Sequence, residues 1–307
     1  MENKSLKAGV VGAGVFGGFH ASKYAAHAQT ELVGVFDPDL EKARTLADKH
    51  GAKAFDTLEH MLAEVDVVTV ASPAVHHFAA AAAALASGKH VLVEKPIASS
   101  VEEARELINL ASSHGCVLQV GHQERFVFHA MGLLEVPEMP KRIVARRMGP
   151  PSDRNLDVSV TLDLMVHDLD LVIALAGAPI KSVEGKIDEG RFGSPDIAEA
   201  TLVFENGCVA ELISSRVHHE RDRKMHVEYE TGVLDIDFVA KTFENSTPYA
   251  LNADFAETET AKDSLGANVH AFIASVIDGA PVVVPGIAGL RALDAARAVD
   301  GEREYGS

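Results

Sequence analysis

Two side chains in one segment of this sequence could take up or release a hydroxyl proton. Asp163 and His167 lie four residues apart in a strongly apolar stretch, a spacing that predicts two side chains on one face of a helix. A histidine can accept a proton near neutral pH, and a carboxylate one turn away can orient its ring. A simple helical ion pair is an equally good interpretation of the same spacing.

Lys95 is a second candidate, in the triplet Glu94-Lys95-Pro96 that directly follows a predicted strand. Open parallel sheets bind ligands at the carboxyl ends of their strands, so we expect this ammonium group to face a cleft. There it could donate a hydrogen bond to a substrate hydroxyl and influence a nearby base. The alternative is a solvated surface lysine, the commonest situation for a single lysine.

A glycine-rich turn near the start predicts a dinucleotide site. Gly12, Gly14 and Gly17 form a G-x-G-x-x-G pattern between a predicted strand and a predicted helix, the context in which this pattern has a mechanical meaning. The first glycine permits a tight turn, the second lets a pyrophosphate approach, and the third lets the helix pack closely. A purely structural turn is the alternative.

Asp37 ends the second predicted strand, where an acidic side chain can hold the ribose hydroxyls of NAD. The next three residues, Pro38, Asp39 and Leu40, offer no basic group to the 2′-phosphate of NADP. The sequence therefore favours NAD. Asp37 could instead cap the helix after Pro38, a role that Asp39 would fill as well.

The first half of the chain alternates short β-branched runs with longer helical runs, which predicts a parallel sheet with crossover helices. The predicted strands are residues 7–12, 31–36, 67–71, 90–94 and 117–120, and helices are expected after Gly14, Pro38, Pro73 and Ser100. This half is expected to be an α/β domain covering residues 1–121. Both candidate ligand-binding turns fall at carboxyl ends of its strands.

The second half, residues 122–307, has a different pattern. One strongly apolar helix is predicted at 162–176, followed by alternating runs that predict strands at 180–187, 198–204, 209–217, 225–230 and 233–238. Glu-Asn-Gly at 205–207 and Glu-Thr-Gly at 230–232 supply turn residues between strands. We expect an α+β domain with a mainly antiparallel sheet, and later helices at 269–277 and 287–299.

Composition and charge exclude several classes of function. Twenty-eight Lys and Arg against forty-five Asp and Glu give a net charge of −17, so nucleic acids and anionic membranes are poor partners. Cys116 and Cys208 form no CxxC pattern, which argues against disulfides and thiolate zinc and favours a cytoplasmic location. No apolar run is long enough to cross a membrane, the glycines near the start argue against a signal peptide, and no metal is expected.

Four stretches together resemble the Gfo/Idh/MocA oxidoreductases, the family of glucose-fructose oxidoreductase and inositol dehydrogenase. They are the G-x-G-x-x-G turn, Pro-Ala-Val-His-His at 73–77, the run at 86–96 that includes Gly-Lys-His-Val and ends Glu-Lys-Pro, and Leu-Asp-Leu-Met-Val-His-Asp-Leu-Asp at 162–170. The resemblance covers nearly the whole chain. Ala74 departs from the asparagine that the family often has near the nicotinamide.

The resemblance implies an N-terminal Rossmann dinucleotide-binding domain, a C-terminal α+β domain with a large open, mainly antiparallel sheet, and NAD as cofactor. It assigns catalysis to Lys95, Asp163 and His167, with Pro96 following a cis peptide bond. The expected cofactor-binding residues are Gly12, Gly14, Val15, Phe16, Gly17, Asp37, Ser72, Pro73, His77, Glu94, Lys95 and Pro96. The expected substrate-binding residues are His122, Arg125 and Arg154, since Gly-His-Gln-Glu-Arg-Phe at 121–126 and Arg-Asn-Leu-Asp-Val at 154–158 resemble the nucleotide-sugar branch of the family.

The predicted activity is hydride transfer between NAD and a secondary alcohol or ketone of a sugar, nucleotide-sugar or cyclitol. Arginines suit a nucleotide-linked substrate because a guanidinium grips phosphate oxygens bidentately, although in so acidic a chain they could equally form structural ion pairs. A reductase of a keto-sugar or bilin-like substrate and a non-catalytic dinucleotide-binding regulator are the alternatives. A homodimer or homotetramer formed through the C-terminal sheets is the expected assembly.

Overall fold

The computed structural model describes residues 5–152, 158–191 and 193–306. The chain forms two compact units, of which the first comprises Met1–Gln123 and Asp263–Leu290 and the second comprises Glu124–Lys262 and Arg291–Ser307. The predicted division at 121/122 falls two residues before the first boundary. The sequence analysis did not predict that residues 263–290 belong to the first unit.

The elements of the first segment alternate as predicted. In chain order they are β1 (Leu6–Val11), α1 (Val15–Ala26), β2 (Thr30–Phe36), α2 (Leu40–Asp48), β3 (Lys53–Phe55), α3 (Leu58–Glu64), β4 (Val67–Val70), α4 (His77–Ala86), β5 (His90–Val93), α5 (Val101–His114) and β6 (Leu118–Val120). The short β3 and α3 were missed by the sequence analysis. A single 3-10 turn, Ala74–His76, precedes α4.

The second segment contains α6 (Glu124–Met131), β7 (Arg142–Met148), α7 (Val166–Ala176), β8 (Ile180–Ile187), β9 (Ile197–Phe204), β10 (Val209–Ser215), β11 (Asp222–Glu228), β12 (Val233–Asp237), β13 (Thr242–Asn245) and α8 (Glu259–Lys262). They are followed by α9 (Ser264–Ile277) and α10 (Gly286–Val299). Short 3-10 turns occur at Leu133–Glu135 and Phe255–Glu257, and a π-helical turn at Thr161–Met165 leads directly into α7.

The first unit is built on a six-stranded parallel sheet in the order β3-β2-β1-β4-β5-β6. The strand order reverses between β1 and β4, which is the point where doubly wound sheets bind dinucleotides. Helix α9 belongs here because its apolar face, with Val269, Phe272 and Ile273, packs into the core with Leu6, Tyr24 and other buried residues. The predicted Rossmann domain is therefore present.

The second unit is built on a seven-stranded sheet in the order β13-β12-β11-β7-β10-β9-β8. All neighbours are antiparallel except β7 and β10, so the predicted mainly antiparallel sheet is confirmed. The central strand β7 was missed. Its inward-facing positions are Ile143, Ala145 and Arg147, and the third of these is an arginine, which obscures the alternation of apolar and polar residues that identifies a strand.

Candidate active site

The glycine-rich turn between β1 and α1 leaves an open space at its second glycine. Gly12 has φ +96°, and a Cβ atom there would lie 2.7 Å from the backbone nitrogen of Ser72. A Cβ on Gly17 would overlap the carbonyl oxygen of Gly12, whereas a Cβ on Gly14 would have no protein atom within 4 Å. Gly12 and Gly17 are therefore required by the fold, and Gly14 leaves room for a ligand.

The N-terminus of helix α1 lacks the side-chain cap that α2, α3 and α5 have. Asp39, Thr57 and Ser100 accept hydrogen bonds from the first-turn amides of α2, α3 and α5. The N-cap of α1 is Gly14, with no side-chain cap and no acidic residue in the first turn. Uncapped amides and the positive end of the helix dipole are suited to a pyrophosphate.

A cleft of about 1560 Å³ opens above this turn, large enough for a dinucleotide moiety. Six of the predicted cofactor-binding residues line it: Gly12, Gly14, Val15, Asp37, Ser72 and Pro73. Phe16, which follows Val15 in the sequence, is 47% exposed. These features fit a bound NAD.

Asp37 does not cap α2, because that role is taken by Asp39. Instead, Asp37 Oδ2 accepts a hydrogen bond from Ala13 N at 2.8 Å and Oδ1 accepts one from Asp39 N at 2.9 Å. These two bonds tie the glycine-rich turn to the end of β2. Each carboxylate oxygen has further acceptor capacity for a ribose hydroxyl.

The residues that follow β4 and β5 form a hydrogen-bonded group. The buried His77 ring places Nε2 2.8 Å from the Ser72 carbonyl oxygen and Nδ1 2.7 Å from that of Pro96. Burial lowers the pKa of His77, so the ring is neutral and donates to only one of these two carbonyl oxygens at a time, between the two chain segments at the carboxyl edge of the sheet. The Lys95–Pro96 peptide bond is cis, as expected from the resemblance, and Lys95 is half-buried.

Glu94 is buried below this edge and is bonded to α1. Its Oε1 lies 2.8 Å from Nε2 of the fully buried His20. Burial raises the pKa of Glu94, but the hydrogen bond and charge of His20 and the charges of Lys95 and His77 together outweigh it, so the pKa lies below its ordinary value. Glu94 thus acts inside the first unit as an anchor for the segment that carries Lys95.

In the second unit, His167 lies near the start of α7 and Asp163 lies within the preceding π-helical turn. The wider turn means that the two residues are not separated by one regular turn of α-helix, as the spacing had predicted. The described contact of the His167 ring is with another carboxylate: Nδ1 lies 2.7 Å from Oε2 of Glu124. Glu124 is the first residue of α6.

Glu124 is in turn held by two arginines. Its Oε1 accepts hydrogen bonds from Nη1 of Arg147 at 3.2 Å and from Nη2 of Arg223 at 2.8 Å. Arg147 also forms a bidentate pair with Asp168, with distances of 2.8 Å and 2.7 Å. The result is a network of five ionisable side chains.

The network settles the charge state of its carboxylate. Burial raises the pKa of Glu124, but the charges of His167, Arg147 and Arg223 and the hydrogen bond from His167 lower it well below its ordinary value. For Arg147, burial opposes the charged form and Asp168 more than compensates, so the pKa is raised. Glu124 is therefore an anion throughout the neutral pH range.

The predicted substrate-binding residues have different surroundings. Arg125 forms a bidentate pair with the buried Asp170, at 2.7 Å from Nε and 2.8 Å from Nη2, so this guanidinium has a structural partner. His122 is buried immediately after β6. Arg154 lies outside the described residues.

Metal-binding clusters and membrane-spanning helices are both absent from the part of the chain that the structure describes. No cluster of three or more His, Cys, Asp or Glu side chains has the geometry to hold a metal ion within the ranges that the structure describes. Among those same ranges, no helix is both long and apolar enough to cross a membrane.

Glu124, Arg147 and Arg223 were not among the predicted site residues. Glu124 stands next to a predicted substrate residue, Arg125, but nothing in the local sequence connects it to His167, which is more than forty positions later. A charged residue on the covered face of a strand, such as Arg147, is a usable signal only once the strand itself is recognised.

Comparison with known proteins agrees with this geometry. Residues 6–122 match the model of an oxidoreductase family with an NAD-binding Rossmann fold, GFO_IDH_MocA, and residues 142–235 match the C-terminal domain model GFO/IDH/MocA. The chain therefore belongs to the Gfo/Idh/MocA oxidoreductase family. This confirms the predicted NAD cofactor and the predicted enzyme class, a dehydrogenase acting on CH–OH groups.

Three relatives illustrate the range of the family. A UDP-N-acetylglucosamine 3-dehydrogenase of Acidithiobacillus ferrooxidans is 36% identical over 300 residues, covering 95% of each chain, and its solved structure superposes with a TM-score of 0.89 over 96% of each chain. A D-glucoside 3-dehydrogenase of Escherichia coli is 30% identical and covers 73% of this chain and 74% of its own. The WlbA dehydrogenase of Bordetella pertussis, solved with NADH and UDP-GlcNAcA, has a TM-score of 0.88 over 99% and 98% of the two chains at 19% identity, and shows the shared fold.

Proposed function

We propose that this protein oxidises the hydroxyl at carbon 3 of a nucleotide-linked sugar, with NAD as the acceptor. The observation that carries the proposal is the 36% identity to a UDP-N-acetylglucosamine 3-dehydrogenase across 95% of both chains. The D-glucoside 3-dehydrogenase, a second relative, is also named for carbon 3. Two relatives with different sugar substrates thus point to the same ring position.

The proposed chemistry assigns separate roles to His167 and Lys95. His167 takes the hydroxyl proton at Nε2, since Nδ1 is bonded to Glu124. The Lys95 ammonium donates a hydrogen bond to the same substrate oxygen and stabilises the charge that develops there. Asp163 is proposed to assist in orienting the substrate hydroxyl and His167. When bound, NAD accepts the hydrogen of the carbinol carbon together with its electron pair.

Substrate recognition is proposed to use His122, Arg125 and Arg154. A diphosphate linked to a nucleoside offers oxygens in the geometry that a guanidinium binds bidentately. The Nε and Nη2 groups of Arg125 already contact Asp170, so Arg125 can contribute to a phosphate site only through its remaining donors. Arg154 is accordingly the stronger candidate of the two arginines.

The same groups can run the reaction backwards, as a reduction of a keto-sugar, because proton and hydride transfer are both reversible. In that direction His167 must begin protonated, and the adjacent anion Glu124 favours that form. Oxidation is favoured as the pH rises, because it releases a proton. The physiological direction is therefore a matter of NAD to NADH ratio and pH.

We also propose that the protein self-associates through the open face of the second sheet. This face carries the partly exposed Val144, Val203, Val209 and Ile213, an apolar surface of the kind that usually becomes a contact. Charged residues lie among them on the same face, such as Arg146, which is opposite Ile213 and is paired with Asp222 at 2.7 Å. Identical chains usually close such contacts with two-fold symmetry.

A thermal-shift panel tests the substrate class. The protein, saturated with NAD, is heated with UDP-N-acetylglucosamine, UDP, N-acetylglucosamine or myo-inositol. A ligand present at a hundredfold its Kd stabilises by about 2.7 kcal/mol, so the UDP-sugar should raise Tm by several degrees and the free sugar and cyclitol should not. Stabilisation by myo-inositol, with none by the UDP-sugar, would replace the nucleotide-sugar proposal with a cyclitol one.

A further inference from the structure

The carboxylate of Glu124 connects the His167 ring to two arginines. Both oxygens of Glu124 are occupied: Oε2 faces Nδ1 of His167 at 2.7 Å, and Oε1 faces Arg223 at 2.8 Å and Arg147 at 3.2 Å. All four side chains belong to the second unit, on α6, α7, β7 and β11. Both carboxylate oxygens of Glu124 are thus held by partners, which keeps the carboxylate facing the His167 ring.

The charge state of Glu124 determines which nitrogen of His167 carries the proton. Two guanidinium groups keep the carboxylate ionised, and an ionised carboxylate can only accept hydrogen bonds. Nδ1 must therefore be the donor, so the neutral ring is the Nδ1–H tautomer and its lone pair is on Nε2. That is the tautomer which a proton acceptor acting at Nε2 requires.

We infer that Glu124 is the positioning residue that fixes the tautomer and orientation of His167 and makes the ring a stronger base. The inference rests on the proposed role of His167 as the proton acceptor. The sequence pattern had given the orienting role to Asp163, one turn away. In the structure, the carboxylate in contact with Nδ1 comes instead from α6.

The charges around the ring explain the gain in basicity. Glu124 and Asp168 supply two negative charges, and Arg147 and Arg223 supply two positive charges. The group is neutral when His167 is neutral, and proton uptake adds one positive charge directly beside Glu124. Asp163, in the preceding turn, adds a further acidic group to this end of α7. Arg147 is bound on its other side by Asp168, so its charge is largely offset there.

The experiment compares the titration of His167 in wild type and in Glu124→Gln, followed by NMR of protein labelled at histidine. The glutamine keeps the size of the side chain and can still accept from Nδ1, but it has no charge. We expect the titration midpoint of His167 to fall by roughly one to three pH units, the effect of an opposite charge at this distance. The acid limb of kcat/KM for oxidation should move to lower pH by the same amount, with a lower plateau.

Three further variants guard against a merely structural effect. Glu135→Gln breaks an exposed His–Glu pair of the same unit, at 3.3 Å from His129, and should leave the His167 midpoint unchanged. Arg223→Gln removes a positive charge and should raise the His167 midpoint. This opposite shift tests the inference independently in case Glu124→Gln folds poorly. Glu124→Asp, which keeps the charge with a shorter reach, should recover part of the plateau.

The outcomes separate this inference from the proposed function. An unchanged His167 midpoint in both Glu124→Gln and Arg223→Gln would overturn the inference. This holds even if His167→Asn is inactive, a result that would support the proposed reaction. Full activity of His167→Asn would overturn the proposed reaction, even if the midpoint moved as expected. A midpoint that falls in Glu124→Gln and rises in Arg223→Gln supports the inference.

Discussion

Replacement of Asp37 by Asn should change the preference between NAD and NADP. In the wild type, the carboxylate bonds to the amides of Ala13 and Asp39 and lines the cofactor cleft. The 2′-phosphate of NADP would bring close to two further negative charges to this group. Asparagine keeps one acceptor for the backbone and removes the charge.

The magnitude follows from the charges at this point. Two unit charges about 4 Å apart near a protein surface repel by about 4 kcal/mol. Lys42 and Lys49 also line the cleft, but Lys42 is paired with Asp39 at 3.2 Å. Solvent and these lysines reduce the penalty, and at least about 1.4 kcal/mol, or tenfold, should remain in favour of NAD.

The assay is kcat/KM with each cofactor at a fixed sugar concentration. We expect at least a tenfold preference for NAD in the wild type and a preference at least tenfold smaller in Asp37→Asn. Asp66→Asn is the matched control, because Asp66 also accepts a backbone hydrogen bond, from Lys7 N at 2.9 Å, but just before β4, at the opposite edge of the sheet. Equal loss of preference for NAD in both variants, or no loss in Asp37→Asn, would show that the charge of Asp37 does not select the cofactor.

Four other predictions concern separate parts of the protein. Gly14→Ala should fold with an unchanged Tm and bind NAD at least about tenfold more weakly, as calorimetry would measure. Gly17→Ala should lose about 1–3 kcal/mol of stability in thermal unfolding, because of the two new Cβ atoms only the one at residue 17 overlaps protein atoms. Lys95→Ala should lose at least about a hundredfold in kcat with little change in NAD affinity by calorimetry, and retained turnover would remove Lys95 from the mechanism. The hydrogen bonds from two arginines lower the pKa of Asp196 from 3.8 to about 2. The ionised carboxylate therefore adds about 2 kcal/mol to the free energy of unfolding above pH 4, and this contribution is lost as the pH falls towards 2. In denaturant titrations, Asp196→Asn should lose less stability than the wild type between pH 4 and pH 2, and an equal loss in both proteins would contradict this role of Asp196. Light scattering should give at least twice 32.6 kDa, with Ile213→Glu shifted towards monomer, and a 32.6 kDa wild-type species at micromolar concentration would refute self-association.

The fold of the first unit could be predicted because its signals are local. Continuous apolar strands, glycine at the turn and proline or serine before helices all lie within a few residues of the elements they define. The short β3 and α3 were missed, and α9 is a further exception, because the sequence shows its apolar face but not the unit against which that face packs. Only packing against the core residues Leu6 and Tyr24 assigns it to the first unit.

The second unit shows where such signals fail. Strand β7 contains three arginines in seven residues, and the inward-facing one, Arg147, is tolerated only because Asp168 and Glu124 neutralise it. Those partners come from α7 and α6, which are distant in sequence. The partner of His167 was missed for the same reason, since a four-residue spacing suggested Asp163 and tertiary packing supplied Glu124.

Oxidation of a nucleotide-linked sugar at carbon 3 with NAD, as proposed, would yield both NADH and a keto-sugar. The most direct measurement is NADH formation by the purified protein with UDP-N-acetylglucosamine, UDP-glucose, N-acetylglucosamine and myo-inositol, with the product ring analysed by NMR. We expect NAD-dependent turnover of a UDP-sugar, a carbonyl at carbon 3 of the product, and little turnover of the free sugar or cyclitol. Oxidation of myo-inositol or a free sugar with no turnover of any UDP-sugar, or a carbonyl at another carbon, would contradict the proposed function.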